Sequence, residues 1–166
     1  MSPVGIDFEA LVAEHGAAIG RVAAAFERDA GLREDLAQDI LLAIWQALPS
    51  FRNDAPLQHF VLRIAHNRAA SHALKASRQP RSTALDERLP SHTPPLDTQA
   101  IQGEAAQRLL AAVQQLSVAD RQLVALALEG LSYKEIASLL ELSVNLVGVR
   151  LNRARTRLKT LMEGPP

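Results

Sequence analysis

Five basic side chains, Arg150, Arg153, Arg155, Arg157 and Lys159, fall within ten consecutive positions late in the chain, with no acidic residue among them. Cations in the last turns of a helix complement its dipole, but capping needs fewer than five. A concentration of this kind suits the neutralisation of phosphates along a nucleic acid. The formal net charge of the 166 residues is zero, so no global charge favours such a partner and local density has to carry the inference. The plain alternative is a solvated basic face with no ligand.

Other chemistries find little footing. His15, His59, His66, His72 and His92 are scattered, with no i, i+4 pair beside a third metal ligand. There is no phosphate-cradling glycine loop and no Ser/His/Asp set with supporting context. The absence of cysteine excludes disulfides and thiolate metal sites. The expectation is a binding protein with no catalytic residues, no metal, no cofactor and no small-molecule substrate. The opening residues lack the basic start and apolar run of a signal peptide. No stretch of about 18 apolar residues suggests membrane insertion. A cytoplasmic location is expected.

The elements that position these side chains follow from composition and spacing. Hydrophobic residues make up 48% of the chain and aromatics only 4%, with Ala and Leu dominant, which favours an all-α fold over sheets. In the first half, Phe8, Leu11 and Val12, then Ile19, Val22, Ala23 and Phe26, fall on one helical face. A break at Asp29-Ala30-Gly31 precedes a second helix carrying Leu36, Ile40, Leu41, Ile44, Trp45 and Leu48, which Pro49 ends. By spacing alone Trp45 belongs with the core. Residues 50–54 read as a loop, and Pro56 opens a third helix at a tolerated position, its buried face formed by Leu57, Phe60, Val61, Ile64 and Ala65.

Residues 78–103 change character. Pro80, Pro90, Pro94 and Pro95 stand among Ser, Thr, Asp and Gln, a composition unable to bury enough surface to offset its ordering entropy. We read a flexible linker joining two small helical domains, 1–77 and 104–166, whose halves need not touch in every state. In the second domain, Leu109, Leu110, Val113 and Leu116 line one helix. Ser117 is placed as an N-cap with Asp120 in the first turn, Gly130 as a left-handed terminator, and Ser132 with Glu135 as a capping box.

Residues 133–140 form a short amphipathic helix, and a longer one runs from Val144 to about Leu161. Ala137 supplies the small residue where such helices pack closely, and Val147 and Leu151 supply the apolar contacts of a helix-turn-helix. The longer helix, which carries the basic cluster, then enters the major groove. Glu141 occupies the turn position where glycine is usual; a positive backbone angle there costs about 1 kcal/mol relative to glycine.

Taken together, these stretches resemble the extracytoplasmic-function (ECF) sigma factors of the sigma-70 family. The resemblance rests on residues 34–42 followed by Trp45, on Phe51 with residues 60–68, and on residues 116–158, in which 132–137 and 153–155 are the closest stretches. It implies a protein that binds core RNA polymerase and directs initiation at particular promoters. It implies that Asp35, Leu36, Gln38, Asp39 and Leu42 contact the polymerase. For the −10 element it implies Phe51, Arg52, Asn53, His59, Arg63, His66, Asn67 and Arg68, with Phe51 and His59 as the available rings for stacking on single-stranded bases. For the −35 element it implies Lys134, Ser143, Asn145, Arg150, Arg153, Arg155 and Arg157. An anti-sigma partner is implied by the family alone. The family usually has Trp-Leu where Phe60-Val61 stand, a conservative loss of ring area. It usually has a Lys and a Ser where Gly148 and Val149 stand, so −35 reading is expected to be weak or altered, with Arg150 and Arg153 the principal contacts. Two other readings stay open: a conventional helix-turn-helix regulator, and a sigma-like interaction protein with degraded promoter reading.

Overall fold

The Asp7 carboxylate accepts a hydrogen bond from the Glu9 backbone N–H at 3.1 Å and so starts α1 (Phe8–Phe26). The computed structural model describes residues 5–78 and 103–164. Six further helices follow, α2 (Ala30–Ala47), α3 (Leu57–Arg78), α4 (Glu104–Val113), α5 (Val118–Leu128), α6 (Tyr133–Leu140) and α7 (Val144–Glu163), with a 3-10 turn at Leu48–Ser50. Among the described residues there is no strand, in agreement with the all-α expectation. The expected break before α2 is shorter than anticipated: Asp29 caps the helix by accepting from the Leu32 N–H at 2.9 Å, so Ala30 and Gly31 already belong to its first turn.

Helices α1, α2 and α3 pack pairwise around Leu11, Ile19, Ile40, Ile44 and Leu62, all essentially without exposed surface. In the second half α7 packs against α4, α5 and α6, burying Val147, Leu151, Ala154 and Leu158. This i, i+4, i+7, i+11 stripe fixes which side of α7 faces outward.

The punctuation between these helices is built as the residue types suggest. Ser117 accepts from the Asp120 N–H at 3.2 Å. Gly130 has φ +89°, and the Leu131 N–H returns to the Leu126 carbonyl at 3.3 Å, closing α5. Ser132 and Glu135 form a reciprocal capping box at 3.0 and 3.1 Å. Glu141 does adopt the left-handed conformation, φ 57° and ψ 45°, and the Leu142 N–H reaches the Ala137 carbonyl at 2.9 Å. The turn between α6 and α7 therefore keeps its geometry without glycine, at the cost set by the Cβ of Glu141.

The two halves are in contact. α1 packs on α4 and α5, and α3 on α5 and α6, so one apolar cluster runs through both. Apart from Arg78 and Gly103, the expected linker lies outside the described residues.

Candidate nucleic-acid and partner interfaces

On α2 the buried stripe is Leu36, Ala37, Ile40, Ala43 and Ile44. The opposite side carries Asp35, Gln38, Leu42 and Trp45, spaced i, i+3, i+7 and i+10 and therefore aligned along one face. Leu42 is 52% exposed and Trp45 58%. The expectation that Trp45 belongs to the core is corrected: helical phase puts it beside Leu42, about half a turn from the buried stripe. Leu36, expected at the polymerase surface, is instead buried and holds the helix in place from beneath. Asp39 is exposed at the edge of this face, 3.8 Å from Arg68 of α3.

The residues expected to meet the −10 element separate into four groups. Arg52 and Asn53 stand exposed in the loop before α3, Asn53 at φ 62°, a conformation asparagine tolerates better than most residues. Arg63, Asn67 and Arg68 are exposed on α3. Phe51 and His66 are not available: Phe51 is buried with its ring 4.9 Å from Phe60, and His66 has no exposed surface and meets the edge of Phe26. Their helical and loop positions turn them inward, where they support the exposed residues rather than face a ligand. His59 is half-buried and its Nε2 lies 2.7 Å from Glu135 Oε2, so it is engaged with the second half.

On the second half, Ser143 caps α7 by accepting from the Leu146 N–H at 3.1 Å. Lys134, Asn145, Arg153, Arg155 and Arg157 are exposed. Arg155 donates to the Tyr133 hydroxyl at 3.0 Å and lies over that ring. The Tyr133 ring also covers Gly148, whose hypothetical Cβ would sit 3.6 Å from it, in ordinary contact. Arg150 is half-buried and lines an open cleft of roughly 360 Å³ with Arg63 and Asn67. It therefore faces the first half and not the outward side of α7, against its expected place among the principal contacts. The outward positions that the sequence did not single out are Asn152 and Thr156, and Val149 stands outward with them.

Polar contacts close the two halves on each other. Arg21 grips Glu129 in a two-pronged pair, Nε to Oε1 at 2.6 Å and Nη2 to Oε2 at 2.9 Å. This hydrogen bonding, set against partial burial, raises the Arg21 guanidinium above its ordinary pKa. Gln114 donates to the Ala24 carbonyl at 2.8 Å. Arg121 lies 5.6 Å above the Phe26 ring while donating to the Leu116 carbonyl at 2.9 Å. The Glu135 carboxyl is held below the usual carboxylate range by hydrogen bonds with Ser132, backbone first, and then with His59. One carboxylate thus caps α6 and ties it to α3. Periodicity gives no signal for these contacts, which join residues as far as 108 positions apart.

Glu129 is the most sensitive point of this closure, because its side chain is only 9% exposed whereas Arg21 is 39% exposed. Glu129→Arg places two guanidinium groups face to face and is expected to disfavour the closed arrangement by about 2 kcal/mol, a buried-pair cost discounted for the exposure of Arg21. The chain has no cysteine, so Ser71→Cys with Ser138→Cys gives two exposed dye sites for energy transfer. Transfer should fall in Glu129→Arg and recover when Arg21→Glu is added. Unchanged transfer in the single variant would show that the pair does not hold the halves together.

Comparison with known proteins bears on both halves. Residues 11–79 match sigma-70 region 2 and residues 106–158 match sigma-70 region 4. The chain is 33% identical over 139 residues to the ECF RNA polymerase sigma factor ShbA of Streptomyces griseus, covering 78% of this chain and 71% of that protein. It is 28% identical over 165 residues to the RNA polymerase sigma factor CnrH of Cupriavidus metallidurans, covering 94% and 86%. The solved structure of CnrH in complex with the cytosolic domain of CnrY superposes with a TM-score of 0.64 at 29% identity, over 94% of this chain and 87% of that one. The sigma factor RpoE of Bartonella quintana, solved with the anti-sigma factor NepR, has the same fold, with a TM-score of 0.70 at 24% identity over 96% and 99% of the two chains.

Proposed function

Because the chain belongs to the sigma-70 family, among its ECF RNA polymerase sigma factors, we propose a division of labour between its exposed faces. The protein binds core RNA polymerase and directs initiation at particular promoters. In the proposed division the Asp35, Gln38, Leu42 and Trp45 face of α2, with Asp39 at its edge, docks on the polymerase. Arg52, Asn53, Arg63, Asn67 and Arg68 engage the −10 element, and α7 enters the major groove at the −35 element. No covalent step is assigned to any residue.

The observation that carries this is the pair of region matches, one on each half and in the order expected for one sigma factor. A conventional helix-turn-helix regulator would account for residues 106–158 alone. The charge pattern agrees with the division: cations dominate the exposed turns of α7 and the outer side of α3, while Asp35 and Asp39 lie on α2.

The closed arrangement bears on when these faces work. His59 is bonded to Glu135, and Arg63 and Asn67 share a cleft with Arg150, so candidate contacts to the two promoter elements face each other instead of DNA. Promoter engagement then requires the halves to separate, with polymerase binding supplying the free energy. A protein partner of the anti-sigma kind is proposed to hold the factor inactive, since CnrH is solved together with the cytosolic domain of CnrY and RpoE together with the anti-sigma factor NepR.

In-vitro transcription with purified core polymerase and a promoter library tests the proposal. The expected result is a set of transcripts sharing a −10 and a −35 preference, absent when either the factor or the core is omitted. A folded factor with active core and no promoter-directed transcript would overturn it.

A further inference from the structure

Three large apolar side chains are exposed in the first two turns of α7: Val144, Leu146 and Val149, at 49%, 37% and 42%. They are not equivalent. At 100° per residue, Val149 projects about 170° from the centre of the buried Val147, Leu151, Ala154 and Leu158 stripe, whereas Val144 and Leu146 lie at about 50° and 110°. Val149 therefore stands on the outermost line of the helix, with the exposed residues Asn145, Asn152, Arg153 and Thr156.

The surroundings of this line favour duplex DNA as its occupant. Arg153, Arg155, Arg157 and Lys159 follow within the next turns, all exposed and with no acidic residue between them, so an apolar spot sits at the head of a strip that can neutralise phosphates. Tyr133 fills the flank over Gly148 and holds Arg155 at its hydroxyl. The flank is thus closed by a ring, and no side chain at position 148 competes with Val149 for the groove. In the major groove an exposed methyl-bearing side chain has one complementary feature, the C5-methyl of thymine, while asparagine matches the N6 and N7 edge of adenine.

We propose that Val149 is a specificity-determining residue of α7 that reads a thymine through its C5-methyl, with Asn145 and Asn152 placed one turn to either side to read adenine. The preferred −35 sequence then contains A·T pairs at the positions facing the first two turns, followed by the phosphate contacts and guanine-reading capacity of Arg153. This rests on the proposed placement of α7 in the major groove and adds the base class that it selects.

The test uses the full chain with core polymerase on a promoter library randomised across the −35 region. The expected result is enrichment of A·T pairs at adjacent positions. At the thymine assigned to Val149, replacing thymine by deoxyuridine, which removes only the methyl, should weaken wild-type promoter binding about fourfold, the worth of one buried methyl group. Val149→Ala should bind the thymine and deoxyuridine promoters equally, with an unchanged far-UV spectrum. Asn152→Ala should relax the adenine preference at one position while the deoxyuridine effect persists. Enrichment of a −35 sequence that is indifferent to deoxyuridine at every position, or that holds only G·C pairs, would overturn the role of Val149 and leave the sigma-factor function standing. A library that returns transcripts with no −35 preference at all would remove both the role of Val149 and the placement of α7.

Discussion

Trp45→Ala is expected to weaken binding to core RNA polymerase about thirtyfold or more, with little change in the stability of the free protein. Trp45 is 58% exposed and is the single tryptophan of the chain. A tryptophan of that exposure costs solubility unless a partner covers it, and large exposed apolar groups rimmed by polar residues mark interaction sites. Here the rim is Asp35, Gln38 and Asp39, and the second apolar member is Leu42, one turn away on the same face. Aromatic anchors of this type carry a disproportionate share of interface energy, about 2 kcal/mol or more on truncation to alanine. Leu42→Ala should cost less, since leucine is under-represented among such anchors. The measurement is the affinity of dye-labelled factor for core polymerase, alongside the urea midpoint of each variant. Wild-type affinity in Trp45→Ala would exclude this face of α2 from the polymerase contact. A loss of affinity accompanied by a lower midpoint would show instead that Trp45 supports the fold.

How much of this was open to inspection in the sequence depends on the range of the interaction. Caps and terminators act over three or four residues, and Ser117, Gly130, and Ser132 with Glu135 all sit at helix boundaries that the residue types suggest. The strained Glu141 was legible for the same reason. Burial of individual side chains was less so. α2 has apolar residues on more than one face, and spacing alone groups Trp45 with the buried Ile44 instead of the exposed Leu42. The phase became clear only once Leu36, Ala37, Ile40, Ala43 and Ile44 were seen to form the buried stripe. Resemblance to a family whose segment they share places Phe51 and His66 at a ligand, yet their side chains turn into the core of this chain. Arg150 illustrates a third limit. Its place in a basic cluster is plain from the sequence, but the cleft it shares with Arg63 and Asn67 depends on how two distant helices meet.

The same contrast between local pattern and actual burial leads to a strong pH dependence of stability centred on His66. Its imidazole is fully buried, meets the Phe26 ring at 5.8 Å edge-on, and neither ring nitrogen finds a hydrogen-bond partner among the described residues. Burial lowers its pKa to about 4, whereas an unfolded histidine titrates at about 6.5. Above pH 6.5 both states are neutral at this position and the native state keeps its full stability. As the pH falls below that value the unfolded chain takes up a proton that the folded core refuses, so stability declines. The decline amounts to about 2 kcal/mol at pH 5 and about 3 kcal/mol at pH 4, below which it levels off because the native imidazole also protonates. Carboxylates contribute to acid unfolding in the same range, so the informative quantity is the difference from His66→Leu, which retains them. That variant should lose the His66 part of the slope between pH 7.5 and 5 in urea-midpoint measurements. It should also be no less stable than wild type at pH 7.5, because it relieves two unsatisfied buried nitrogens. Parallel pH profiles for the two proteins would show that His66 takes up its proton in the folded state, against its full burial beside Phe26.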